Sequence, residues 1–253
     1  MRITILFLAV SIATTVIGQA ATRGDVKVLE ASDTIKYRIN HLARNYLLFY
    51  HFPKKRKLKR KLVEDLEHLG KGLQIIAVTT KDVKTKNLLA FFAYEKARIG
   101  EILDRKPDKA SMNEILQMSE SFVEGADSIS KHHAYDFAFE EKMFMQTRFL
   151  AQKIEEILKY YMASQIIKDD PELIRKMKRS VSQFSKTLRV INEYEYDDKT
   201  ISKTKKRLEG TWSITKKYFI NSHRMNLPLV MNVAVVRIEK FLDEIGIYHS
   251  KNQ

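Results

Sequence analysis

Along Leu58 to Ile76, LKRKLVEDLEHLGKGLQII, the apolar residues Leu58, Leu62, Leu66, Leu69, Leu73 and Ile76 advance in steps of 4-4-3-4-3. Leu173, Met177, Val181, Phe184, Leu188 and Ile191 advance in the same steps along LIRKMKRSVSQFSKTLRVI. Such spacing is one face of an amphipathic helix. Laid over one another without gaps, the two stretches also share Leu58/Leu173, Arg60/Arg175, Lys61/Lys176, Lys71/Lys186, Leu73/Leu188 and Ile76/Ile191. Two unrelated stretches of this length would share on the order of one or two residues. The chain therefore reads as two copies of one helical unit.

The prolines punctuate both copies alike. Pro53 and Pro171 precede the duplicated helix, and Pro107 and Pro228 lie near the start of the last helix of each half. Proline is tolerated in a first helical turn and is expensive further in. The front half predicts a connector over Ala21 to Glu30 and a first helix over Ser32–Phe52 carrying Ile35, Ile39, Leu42, Tyr46 and Phe49. The duplicated helix follows, then a third over Val83–Asp104, and a fourth opened by a Ser111-Met-Asn-Glu114 capping box. The rear half predicts Phe139–Ala163, the duplicated helix capped by Asp170, an acidic loop Asn192–Lys199, a helix around Trp212 and a last one over Leu227–Ile245. Four amphipathic helices with short joints close most cheaply as an antiparallel bundle. The expected fold is all-α, two tandem four-helix bundles over 21–133 and 134–253. The linker His132–Asp136 holds neither Gly nor Pro, which leaves the fourth helix free to run directly into the fifth as a rod.

Composition changes the picture in three places. Met1-Arg2, the apolar run Ile3 to Ile17 and Gly18-Gln19-Ala20 form the pattern of a signal peptide over 1–20, with an uncleaved anchor as the alternative. The expected location is periplasmic. Cysteine is absent, so stability must come from buried helix faces, and thiol catalysis and thiolate metal sites are excluded. The 45 basic residues outnumber the 31 acidic ones by 14, and in an exported chain that points to anionic head groups, cell-wall polymers or small anions rather than nucleic acid. The run Lys54–Lys61 reads as a solvated helix start.

Candidate chemistry is sparse. His132 and His133 are adjacent and point about 100° apart on a helix, so they cannot share a metal. The methionines read as core filler, Trp212 as a core anchor, and Glu140-Glu141 and Glu155-Glu156 as helix surface. No catalytic constellation stands out, so neither an enzyme nor a bound cofactor is expected.

The order of features in the rear half, Gln146-Thr147-Arg148-Phe149, Phe184-Ser-Lys-Thr-Leu188, Trp212 and Met231-Asn232 with Val235-Val236, resembles the PilJ-type domain. This is the periplasmic sensory domain of type IV pili chemotaxis transducers, related to nitrate-sensor domains. The resemblance spans roughly 140–248 and is weaker over 32–131, where Ile39-Asn40 and Ala43–Leu48 match the family's first helix. It implies a small-anion site on the first helix of a bundle. The family's arginine falls on Arg148, beside Gln146 and Thr147, while an earlier basic position holds Met143. In the front half Lys36, Arg38 and His41 are the polar candidates. The implied function is exported sensing of a small anion or polar metabolite. Because nothing follows Gln253, the state would pass to a separate membrane receptor or transducer, and bundles of this kind pair as homodimers along their first helices. The alternative is a helical scaffold that docks on anionic membrane or an acidic partner through Lys54–Lys61 and Lys203–Arg207.

Overall fold

The computed structural model describes residues 22–168, 170–221 and 227–252; the leader and its cleavage site lie outside the described residues. Among the described residues there are eight helices and no strand: α1 Arg23–His51, α2 Arg56–Thr79, α3 Val83–Leu103, α4 Lys109–His132, α5 Phe139–Ile166, α6 Pro171–Glu193, α7 Lys199–Ile220 and α8 Pro228–Lys251. None is long and apolar enough to cross a membrane.

Aspartates set half of the helix starts by accepting from backbone N–H groups that have no partner within the helix. Asp82, Asp108, Asp170 and Asp198 cap α3, α4, α6 and α7. Two local expectations change. The stretch expected to be a connector as far as Glu30 is helical from Arg23, because Thr22 and Asp25 form a capping box and Val28 and Leu29 are buried. At α4 the cap is Asp108, which accepts from the Ser111 N–H at 2.7 Å, while Glu114 turns to Arg98 on α3.

Within each run of four, every helix packs on its chain neighbours, and α1 meets α4 as α5 meets α8, so each run closes a ring. The rings join through α1 and α5, and the buried apolar side chains form one contiguous core across both. The continuous joining helix does not form. α4 stops at His132, His133 Nδ1 meets Asp25 Oδ1 at 2.8 Å in the first turn of α1, and α5 begins at Phe139 beside α1 instead of beyond α4. Burial gives the reason: Leu42 through Phe49 on α1 and Ile154 through Ala163 on α5 are buried at every consecutive position. A helix covered on all sides needs neighbours on all sides, which a rod would not supply.

α1 and α5 run parallel, since Arg148 reaches Glu30 and Thr34 while Glu155 lies against Arg44 further along. The offset that carries Leu58 to Leu173 also carries Ile39 to Ile154, Arg44 to Lys159 and Tyr46 to Tyr161. Both rings are clasped by histidine at the same end. His133 bonds Asp25, and His249 bonds Glu140 at 2.6 Å and Tyr196 at 2.9 Å. Gly125 permits the closest approach in the front ring, because a Cβ there would stand 2.5 Å from Cζ of Phe92.

Candidate functional site

The residues expected to form a site are placed apart. Arg148 donates from Nη2 to the Glu30 carbonyl at 3.1 Å and to Thr34 Oγ1 at 3.0 Å, on the rim of an α1–α2–α5 groove that also holds Lys27, His68 and Lys71. Gln146 and Lys36 line a different groove, of about 500 Å³, between α1, α4 and α5, and Lys36 is paired there with Asp33 and Asp127. Thr147 is buried, its hydroxyl donating to the Phe144 carbonyl. Arg38 and His41 converge with Asn45 on the buried carboxylate of Asp65, His41 Nδ1 at 2.6 Å.

What the sequence did not show is a buried ionic centre between the rings. Glu155 and Glu156, expected on the helix surface, are 0% and 8% exposed. Arg44 grips Glu155 with two bonds, Nε at 2.9 Å and Nη2 at 2.6 Å, and Nη1 donates to Asn232 at 2.5 Å. Burial opposes both charges, but each partner outweighs it for the other, so the Arg44 pKa is raised and that of Glu155 lowered. Glu239 is the third member. Burial, with Glu155 beside it, pushes its carboxyl well above the usual carboxylate range, so it is held as the neutral acid, hydrogen-bonded to Glu155 and accepting from Tyr37 at 2.8 Å.

The position that answers Arg44 in the rear copy is Lys159, and the position that answers Glu155 is Asn40, which carries no charge. Lys159 is 1% exposed and donates to Ser119 Oγ at 3.0 Å; among the described residues no carboxylate forms an ion pair with it. Burial holds its pKa down to about 8. It lines a cavity of about 260 Å³ between α4, α5 and α6, together with Lys153, Lys176, Arg179, Glu120, Glu124 and Glu156. Two of its three carboxylates are directly engaged by other residues: Glu156 takes Lys153 at 2.7 Å and the Ser180 hydroxyl at 2.6 Å, and Glu120 takes Lys176 at 2.7 Å and the Tyr160 hydroxyl at 3.2 Å. The cleft thus holds a buried cation that no carboxylate contacts directly, with Glu156 and Glu120 acting on it only at longer range, on the wall of a space the size of a small metabolite.

Only one sequence signal bears on this centre. Arg44 and Lys159 are basic residues at equivalent places within otherwise apolar helix stretches, but the duplication is legible by identity in α2 and α6 rather than in α1 and α5. Among the described residues no group of three or more His, Asp or Glu is arranged to hold a metal ion. Compared with known protein families, curated proteins and solved structures, the chain has no match in any of the three.

Proposed function

We propose that the protein binds a small anion, a carboxylate or a comparably small polar metabolite, in the α4–α5–α6 cleft, with Lys159 as the counter-charge. One observation carries this reading: the duplicated position is paired directly with a carboxylate in one copy, Arg44 on Glu155, and has no direct ion pair in the other, where Glu156 and Glu120 act only at longer range. A buried charge with no direct partner is costly, and a ligand anion that pairs with it offsets part of that cost in proportion to its affinity. The role is that of a sensory or carrier protein, as the PilJ-type resemblance implies. The anion site moves from Arg148 to Lys159 three turns along the same helix, because the Arg148 guanidinium already has protein acceptors. An exported setting and delivery of the bound state to a separate membrane partner complete the proposal.

A thermal-shift panel of nitrate, phosphate and small mono- and dicarboxylates tests it. At least one should raise Tm in a concentration-dependent way, Lys159→Met should abolish that rise, and Arg148→Ala should leave it. A panel without effect, or a rise that survives in Lys159→Met, overturns the assignment.

A further inference from the structure

The exposed large apolar side chains are not spread evenly. They concentrate on the outer corner made by α7 and α8, where Val233 is 68%, Ile214 62% and Val230 59% exposed, joined by Tyr218, Leu229 and Val236. Their contiguity follows from the helix pairing. Thr204 bonds Glu244 at 2.8 Å and the Arg207 guanidinium lies 5.0 Å above the Phe241 ring, so α7 and α8 are antiparallel with those residues side by side. Continuing that register sets Ile214 and Tyr218 against Val230 and Val233. Isolated exposed apolar residues need no explanation, but a contiguous patch marks a contact surface.

The other flank of α7 is of opposite character. A groove of about 610 Å³ between α6 and α7 is lined by Lys178, Lys186, Arg189 and Lys216, with no carboxylate among its lining residues. Between the two flanks Lys203, Lys206 and Lys217 stand exposed on the outer ridge of α7 at helical spacing. Arg237 and Lys240, also exposed, extend the positive rim along α8.

We infer that this α6–α7–α8 face docks on an anionic lipid bilayer, the aliphatic residues and Tyr218 entering the head-group boundary while the lysines and arginines meet lipid phosphates. The pairing of an aliphatic patch with a basic rim is what an interfacial surface requires. A nucleic acid would use the cations but leave the valines and isoleucine in water, since bases stack on aromatic rings and only Tyr218 offers one. The inference is independent of the cleft, which lies on the opposite flank of α6 against α4 and α5.

The chain contains no cysteine, so a single introduced thiol can carry an environment-sensitive dye. Full-length Val233→Cys, labelled and mixed with phosphatidylcholine vesicles containing phosphatidylglycerol, should show a blue-shifted emission, while vesicles of phosphatidylcholine alone produce none. The same dye on Lys86→Cys, on the exposed side of α3, should not respond. Raising salt from about 0.05 M to about 0.5 M should reverse the shift, because the Debye length falls severalfold over that range. Lys186→Glu combined with Lys216→Glu should weaken vesicle partitioning at least tenfold with unchanged helicity. Equal response to neutral vesicles, equal response of the α3 probe, or partitioning unaffected by the charge reversals overturns the inference. So does a dye shift that appears without lipid as protein concentration rises, which would assign the face to a second copy of the chain.

Discussion

Glu239 shows how far burial can govern a single group. Its carboxyl lies between Tyr37 and Glu155 and keeps its proton well above the usual carboxylate range because a second negative charge beside Glu155 would have no water to screen it. Below the ordinary value of 4.5 folded and unfolded chains both hold this proton; above it only the folded chain does, so this group subtracts stability as pH rises. Gln in its place can donate to Glu155, accept from Tyr37 and does not titrate. Glu239→Gln should therefore gain stability on the natural chain as pH climbs from 4.5 to 7 in urea unfolding. Arg44→Ala should cost about 3–5 kcal/mol at pH 7, since it strands the buried Glu155. Lys159 has the opposite sign. A base held down to about 8 penalises the fold while it is charged; the penalty is full below about 8 and fades toward the ordinary 10.5. Lys159→Met should be more stable than the natural chain at pH 7, by on the order of 1–3 kcal/mol, with the advantage shrinking across that interval.

At the scale of the element, glycine separates tight helix contacts from loose ones. Phe92 stacks on Phe122 at 4.6 Å with rings 7° from parallel, and its edge lies where a side chain on Gly125 would stand. The ring is fully buried and held by that stack, so Gly125→Ala should force α3 and α4 apart and cost about 1–3 kcal/mol in chemical denaturation. Gly210 on α7 is the converse case: a Cβ there would meet nothing within 4 Å. Gly210→Ala should add about 0.5–1 kcal/mol, because alanine loses less freedom on entering a helix. Measured side by side, the pair reports whether the α3–α4 contact is as close as Phe92 indicates.

For the whole molecule, the shared core makes the two rings one folding unit. α1 and α5 are each covered by three helices, one of them from the other ring, and Arg44 carries its charge across that junction. Trp212, packed 4.1 Å from Phe184 in the rear ring, reports that ring alone, while far-ultraviolet circular dichroism reports all eight helices. The two signals should trace the same denaturation curve, as a cooperative unit requires. A chain of two independent bundles would separate them.

Much of the helical plan could be read from the residues. Apolar spacing and the repeated steps of α2 and α6 reveal amphipathic helices, and Asp170 with Pro171 marks a start that the structure keeps. These signals are local, arising within a turn or two of backbone, so sequence alone determines them. Which helix lies against which is decided over distances of a hundred residues and more, by the fit of whole surfaces. The tertiary structure alone therefore set α1 beside α5, turned the chain back at His133, buried Glu155 and Glu156, and gave Arg44 a directly paired carboxylate that Lys159 lacks. A charge on an amphipathic helix reads the same in sequence whether it meets water or another helix. Only the packed fold removes the water, and with it the ambiguity.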